Sequence, residues 1–280
     1  MSDFTRIWGF DVPVVSLTKQ QIDYLQALPK SRPTVEWVWR EMDRVWNEMG
    51  LNNRIPLSKQ PTGVFYSHPV WLMNGIFTAT DPVSVSHRGA IAQYVRYLAK
   101  QFIADFGGGF GELALTIVNA DHRVKVDIVE PYPSPVGLHR IRDEHRIEYT
   151  EGFTKKYDVV IAQSVLEHVE DPIGLVATMV DATRIGGYVI FANDFSPVIK
   201  CHLPSTFHLR HTFRKVVEGM GLCFLGNCEG AEHTGVFRRV DLYIDLHNAK
   251  RRESLSKAIG PFANRIRPIL GRMARRVGLR

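Results

Sequence analysis

The sequence predicts an α/β fold built on a parallel, doubly wound sheet. From about residue 86 onward, short apolar runs alternate with segments of helical periodicity. A glycine-rich turn at residues 105–112 joins the first of these runs to a helix, and the second run ends in the acidic residue Glu130. Strands that alternate with helices are typical of parallel sheets covered on both faces. Glycines after the first strand allow the backbone to approach a ligand closely.

Residues 1–85 are predicted to form a helical cap or lid. Thr18 and Gln21 are spaced as a capping box, and residues 33–50 carry apolar side chains at helical intervals. Residues 51–83 are rich in proline, glycine and aromatic residues. We expect them to form a long loop that serves as a lid or a substrate pocket, with plain packing as the alternative.

The spacing of the glycine turn restricts its ligand. A helix over Ser86–Lys100 leads into the first strand, Phe102–Ala104, and a second helix follows from Leu113. Between them the pattern is acidic-x-G-x-G-x-G, which matches neither the dinucleotide pattern G-x-G-x-x-G nor the phosphate loop G-x-x-x-x-G-K-[ST]. The residues of the pattern are Asp105, Gly107, Gly109 and Gly111.

Three further segments follow in order. Lys125–Val129 reads as a strand, and Glu130 after it can accept hydrogen bonds from two vicinal ribose hydroxyls. Tyr157–Ala162 reads as a buried strand, followed by a turn at Gln163 and Ser164 and the start of a helix over Val165–Val169. Ile185–Phe191 is the next predicted strand.

Together these segments resemble the class I S-adenosylmethionine-dependent methyltransferases of the small-molecule or glycan type. The resemblance covers residues 90–245 and includes the Leu-Glu-His-Val run at 166–169. It implies a Rossmann-like sheet and S-adenosylmethionine as the cofactor. The cofactor-binding residues that it implies are Asp105, Gly107, Gly109, Gly111, Glu130, Gln163 and Ser164.

The candidate catalytic residues are three histidines. His168 ranks first as the general base, because it follows Glu167 beside the cofactor and a neutral imidazole can accept a proton. A histidine fixed structurally by a neighbouring carboxylate is the alternative. His208 and His211 come next and could bind a polar acceptor together with Asp194 and Arg210. No metal ligands are assigned, because Glu167 and His168 alone are too few.

The predicted reaction is methyl transfer to a hydroxyl of a small molecule, a glycan or a lipid-linked intermediate. Enzymes that methylate amino groups of nucleic acids carry an Asn/Asp-Pro-Pro-aromatic run where this chain has residues 163–166, and no cysteine follows a proline as in cytosine-C5 enzymes. An RNA or protein methyltransferase is the first alternative. A non-catalytic scaffold that binds S-adenosylmethionine is the second.

Charge divides the chain unevenly. The whole sequence has 35 Lys and Arg against 29 Asp and Glu, yet residues 248–280 hold ten of the basic residues and one acid. That tail is predicted to be a basic amphipathic helix, kinked at Pro268, that docks on a membrane surface or on the protein itself, with nucleic acid a weaker candidate. The expected domains are 1–85 (cap), 86–247 (cofactor-binding domain) and 248–280 (tail).

Cysteine usage and hydropathy predict the compartment. The three cysteines lack metal-ligand spacing, no run of 18 apolar residues occurs, and the first residues lack a signal-peptide pattern. We therefore expect a cytoplasmic protein, peripheral at the membrane if the tail docks there. The sequence carries no signal for an oligomeric state.

Overall fold

The structure is a computed structural model that describes residues 4–260. Its strands are β1 Phe4–Ile7, β2 Phe10–Pro13, β3 Phe102–Phe106, β4 Lys125–Val129, β5 Ile147–Thr150, β6 Tyr157–Gln163, β7 Thr183–Ala192, β8 Leu222–Cys228 and β9 Ala231–Arg239. Its α-helices are α1 Lys19–Gln26, α2 Val35–Glu48, α3 Thr62–Tyr66, α4 Val70–Thr80, α5 Pro82–Tyr97, α6 Glu112–Ala120, α7 Pro135–Ile141, α8 Pro172–Ala182, α9 Phe213–Val217 and α10, residues 246–260. Its 3₁₀ turns are Val14–Ser16, Leu57–Lys59, Leu166–His168, Pro204–His211 and Glu218–Met220.

The predicted doubly wound sheet is confirmed. Within the described residues a seven-stranded sheet has the order β5-β4-β3-β6-β7-β9-β8. The strands from β5 to β7 pair in parallel, and β9 pairs antiparallel with both β7 and β8. The chain therefore winds outward from β3 in one direction through β4 and β5, and in the other direction through β6 and β7.

Both faces of the central strands are buried, which explains why their sequences are almost wholly apolar. In β6, Val160 and Ala162 join the apolar cluster on one face, while Val159 and Ile161 join the cluster on the other. This alternation follows from the two-residue period of a strand. The sheet thus lies between two hydrophobic layers and holds the ends of its strands in fixed relative positions.

The prediction of a long loop over residues 51–83 is wrong, because the segment is largely helical. It contains α3 and α4, and α4 buries Val70, Met73 and Phe77 against α2. Several of its prolines stand at helix starts, where the missing N–H costs nothing, so they mark boundaries between helices. Pro82 likewise opens α5, whose N-cap Asp81 accepts a hydrogen bond from the Ser84 N–H at 2.9 Å. The helix therefore begins and ends earlier than the predicted Ser86–Lys100.

A second correction concerns residues 165–169, which were expected to open a helix. They form a 3₁₀ turn at Leu166–His168, and the following helix begins only at Pro172. Asp171 caps that helix by accepting a hydrogen bond from the Gly174 N–H at 2.8 Å. The capping box of Thr18 and Gln21 is confirmed at the start of α1.

An N-terminal hairpin, which no pattern in the sequence predicts, completes the cap. Strands β1 and β2 pair antiparallel around a turn at Trp8 and Gly9, both of which have positive φ. Phe10 and Val12 of β2 are buried in a cluster that includes Leu72 and Ile76 of α4. The hairpin therefore packs directly on the helical part of the cap.

Helix α10 contains the described part of the basic tail. It docks through Ala249, Glu253, Ser256 and Gly260, all of which are buried. The remainder of the predicted amphipathic helix, residues 261–280, lies outside the described residues. Helices α5 and α10 run across the predicted domain boundaries at 85 and 247. Between residues 4 and 260, no helix combines the length and the apolarity needed to span a bilayer.

Candidate active site

The predicted cofactor residues lie at one edge of the sheet. Strand β3 pairs with β4 on one side and β6 on the other, so the carboxyl ends of all three strands are adjacent. The Gly107 N–H donates to the Val129 carbonyl oxygen at 3.0 Å, which places the glycine turn beside Glu130. Because the direction of winding reverses between β3 and β6, a crevice that can take a ligand opens at this edge.

Close approach requires the glycines of the turn. Gly107, Gly109 and Gly111 have φ values of +72°, +54° and +79°, a region that side chains disfavour. A Cβ at Gly107 would lie 2.6 Å from the Cγ2 of Val165. The turn after β3 therefore presses against the segment after β6, and only glycine leaves room for that contact.

Asp105 is a buried carboxylate that lacks a partner at one oxygen. Its side chain is 2% exposed, and Oδ2 has no hydrogen-bond partner within the described residues. Burial, assisted by the nearby Glu130 carboxylate and opposed by Arg88, raises its pKa to about 7. An unpaired buried carboxylate is costly, so this oxygen fits a cationic or hydrogen-bond-donating group of a ligand.

The other predicted cofactor residues line the same edge. Glu130 is half-buried directly after β4, and one of its oxygens accepts a hydrogen bond from the Tyr132 N–H at 3.2 Å. Burial raises the pKa of Glu130, and that hydrogen bond opposes the rise. Gln163 ends β6, and Ser164 after it is exposed with φ +51°.

Glu167 and His168 lie just beyond this edge with lone pairs available. Glu167 is fully buried; one carboxylate oxygen accepts from the Asp194 N–H at 3.2 Å, and Oε2 has no partner among the described residues. Burial raises the pKa of Glu167 to about 7. The Nδ1 of His168 lies 3.0 Å from the Cys201 carbonyl oxygen. Because a carbonyl only accepts, Nδ1 carries the proton and Nε2 is left as an acceptor.

His202 joins this pair and was not singled out from the sequence. Its Nδ1 donates to the Ser196 carbonyl oxygen at 2.8 Å, and its ring lies 4.9 Å from the His168 ring. Burial, and next the proximity of His202, lower the pKa of His168 to about 3, so the ring is neutral. One ligand atom from each of Glu167, His168 and His202 lies within 4.8 Å of the others. This carboxylate and two imidazoles form a set that could hold a divalent cation.

The cap covers this cluster. The ring of Trp71 in α4 meets that of His168 edge-on at 6.1 Å, and Tyr66 stacks on Trp71 at 5.2 Å. The Leu57 N–H donates to a carboxylate oxygen of Glu170 at 2.8 Å. Residues 51–83 therefore form one wall over the Leu-Glu-His-Val segment.

His208 and His211 have different surroundings from His168. The Nε2 of His208 lies 3.6 Å from Oε1 of the buried Glu253 in α10. Glu253 also pairs with Lys250 and Lys257. His211 is exposed at the end of its 3₁₀ turn. Of the three predicted histidines, only His168 belongs to the cluster with Glu167 and His202.

The fold and this edge of the sheet define a class of protein. A doubly wound sheet with a glycine turn after its first strand and an acid after its second is the architecture of class I S-adenosylmethionine-dependent methyltransferases. Residues 91–242 match the family model described as a methyltransferase domain. The match covers more than half of the chain, so the chain belongs to this family, and its cofactor is S-adenosylmethionine.

Individual relatives match over part of their length. A ubiquinone biosynthesis O-methyltransferase from Hydrogenovibrio crunogenus is 26% identical over 131 residues, which are 44% of this chain and 54% of that protein. Another from Nitrosospira multiformis is 25% identical over 135 residues, 45% of this chain and 56% of that protein. The chain thus spans about half the length of these relatives. An O-methyltransferase family protein from Burkholderia thailandensis shares the fold at 13% identity, with a TM-score of 0.51 over 85% of this chain and 80% of that chain.

The residues at the sheet edge fit this cofactor. The space beside Gly109 is open, since a Cβ there would meet nothing within 4 Å, and Asp105 offers an unpaired oxygen suited to an ammonium group. Glu130 lies where a carboxylate can accept from ribose hydroxyls. Each of these features suits one part of S-adenosylmethionine, which joins a nucleoside to an amino acid through a sulfonium.

Removal of the Asp105 charge should stabilise the ligand-free protein. Asp105→Asn eliminates a carboxylate whose ionisation the fold opposes, so the free energy of unfolding should rise by up to about 4 kcal/mol at pH 8. An ordinary aspartate ionises near pH 4 in the unfolded chain, whereas Asp105 ionises near pH 7 when folded. The advantage of the variant should therefore grow from about pH 4 to pH 7 and stay constant above. Urea titrations across this range measure it; an advantage independent of pH would contradict the assignment.

Proposed function

We propose that the protein transfers a methyl group from S-adenosylmethionine to a hydroxyl oxygen of a small molecule. The observation that carries this proposal is the pair of available acceptor atoms, Nε2 of His168 and Oε2 of Glu167, in the segment that packs on the cofactor turn through Val165. Two matched relatives are named as O-methyltransferases, which supports oxygen as the acceptor atom. A glycan or a lipid-linked molecule that presents such a hydroxyl belongs to the same proposal.

Residues at the sheet edge bind and orient the donor. When bound, S-adenosylmethionine supplies a methyl group activated by its sulfonium. Glu130 would accept hydrogen bonds from the ribose hydroxyls, the N–H groups of the glycine turn and the start of α6 would face the ligand, and Asp105 would hold its amino end. Gln163 and Ser164 complete the wall at the end of β6. Alignment of donor and acceptor in this crevice provides much of the rate enhancement.

The acceptor hydroxyl lies at the Glu167–His168 end of the crevice. Its O–H would donate a hydrogen bond to the Nε2 of His168, a neutral imidazole whose ring is fixed by the Cys201 carbonyl on the other side. Burial under Trp71 and the cap excludes water from that proton. Glu167, whose pKa is about 7, would when ionised place negative charge next to the imidazole and offset the charge that the ring gains on taking the hydroxyl proton.

His168 can be tested directly. His168→Ala should lower turnover by roughly 10²–10⁴-fold with donor affinity nearly unchanged, because the acceptor loses its proton partner while the turn is intact. Single-turnover assays with a phenolic acceptor, together with calorimetric donor affinities, measure both. His122→Ala, in the exposed turn after α6, serves as the matched histidine control. A loss below tenfold for His168→Ala would move the role to His208 or His211.

Donor recognition can be tested at Glu130. S-adenosylmethionine and its demethylated product should bind in the micromolar range, and NAD should not bind. Glu130→Ala should weaken donor binding by roughly 1.5–3 kcal/mol, because charge-assisted hydrogen bonds to the ribose are lost. Glu148→Ala, an exposed acid on the adjacent strand β5, is the matched control. Unchanged calorimetric affinity in the Glu130 variant would remove that residue from the site.

The proposal extends to the tail as a contact with an anionic membrane surface. The described face of α10 that is not docked exposes Leu255 (61%) and Ile259 (55%), and the sequence beyond it is strongly basic. Exposed apolar residues combined with positive charge favour the interface of an anionic bilayer. Such a contact would hold a cytoplasmic enzyme near a lipid-linked acceptor. Binding of RNA through the same charge is the outcome that would favour the RNA methyltransferase alternative.

Co-sedimentation with liposomes tests the tail. The full chain should pellet with anionic vesicles at low salt and much less with neutral vesicles, since each basic residue near the surface adds up to about 1 kcal/mol. A version ending at Gly260 keeps the docked helix α10 and should stay in the supernatant. Equal pelleting of both versions, or of neither, would eliminate the membrane contact.

A further inference from the structure

Phe110 is the one side chain beyond hydrogen that the glycine turn carries between residues 107 and 111. Its ring is 7% exposed and is buried in the cluster of the cap. The ring centroids of Phe110 and Phe10 in the N-terminal hairpin are 5.9 Å apart. The cofactor turn is therefore anchored to the cap by its single large side chain.

The Phe110 ring packs directly against Gly75 in α4. A Cβ on Gly75 would lie 2.5, 2.7 and 2.9 Å from three ring atoms of Phe110. Such separations are far inside normal contact, so an alanine at this position must displace the ring. The ring is the side chain of a residue within the cofactor turn, so its displacement moves the turn.

Arg140 connects the same hairpin to the helix that follows the turn. Its guanidinium carbon lies 4.7 Å from the centroid of the Phe10 ring, and its Nε lies 2.7 Å from Oε1 of Glu112. Glu112 is the first residue of α6. The hairpin thus contacts the turn at Phe110 and the start of α6 through Arg140.

From the opposite side, the catalytic domain holds the turn through its backbone. The Tyr149 hydroxyl donates to the Gly109 carbonyl oxygen at 2.7 Å. Gly109 itself has open space on its Cβ side. The turn is therefore held between a backbone contact to β5 and a side-chain contact to the cap, and its conformation depends on both.

We propose that Phe110 is a positioning residue through which the cap sets the cofactor turn for the methyl donor. The proposal rests on the donor site proposed above. Packing of Phe110 against Gly75 and Phe10 holds the backbone N–H groups of the turn in the binding conformation. Loss of this packing therefore lowers the affinity for the donor more than it lowers the stability of the fold. Because coupling between two sites is reciprocal, donor binding in turn stabilises the hairpin against the turn.

A suppressor experiment tests the contact. Gly75→Ala should weaken S-adenosylmethionine binding at least tenfold by calorimetry, although alanine favours a helix. Gly89→Ala in α5, where a Cβ meets nothing within 4 Å, is the matched control and should stay within twofold of the wild type. Addition of Phe110→Leu to Gly75→Ala replaces the ring by a shorter side chain and should restore at least half of the lost affinity on a logarithmic scale. A purely structural role for Gly75 would instead lower the thermal stability of Gly75→Ala while its donor affinity stayed within twofold of the wild type.

Hydrogen exchange on the unmodified chain provides a second test that does not depend on a variant. With saturating S-adenosylmethionine, the amides of Phe10, Asp11 and Val12 should exchange at least threefold more slowly, whereas those of β8 at the far edge should not change. Absence of protection in the hairpin, or a folded Gly75→Ala protein with wild-type affinity, would overturn the coupling and leave the donor site intact. Failure of the wild type to bind S-adenosylmethionine at all would overturn both proposals.

Discussion

The close contact between the glycine turn and the segment after β6 is the constraint on which the site depends. At Gly107 the two segments are so close that any side chain would overlap Val165. The contact links the turn proposed to bind the donor to the run that carries Glu167 and His168. The parallel order β4-β3-β6 makes it possible, because adjacent strands end at the same edge of the sheet.

Two carboxylates at this edge of the sheet are incompletely hydrogen-bonded among the described residues, which lowers the stability of the folded protein. Asp105 and Glu167 are buried carboxylates, each with an oxygen that has no partner within the described residues. The hydrophobic layers on the two faces of the sheet offset this cost and hold the strand ends in place. A ligand can therefore gain free energy from groups that the folded chain leaves without partners.

Features encoded locally were predictable from the sequence, and those that depend on distant contacts were not. The sheet strands, the glycine turn and Glu130 follow from apolar runs and spacing within a few residues. The prolines and glycines of residues 51–83 predict a loop where the structure has helices, because prolines at helix starts cannot be told from prolines in loops by sequence alone. His202 reaches Glu167 and His168 only because the chain after β7 folds back, where the Leu203 N–H donates to the Glu167 carbonyl oxygen at 2.9 Å. No spacing pattern in the sequence predicts that this segment folds back onto Glu167 and His168.

The central claim is that the glycine turn and the unpaired carboxylate of Asp105 together receive the charged end of S-adenosylmethionine. Calorimetric titration at pH 7 in two buffers of different ionisation enthalpy tests it most directly, because it counts the protons exchanged on binding. With an Asp105 pKa of about 7, pairing with an ammonium should release about half a proton into the buffer at this pH. Saturable binding with no proton release would contradict the claim.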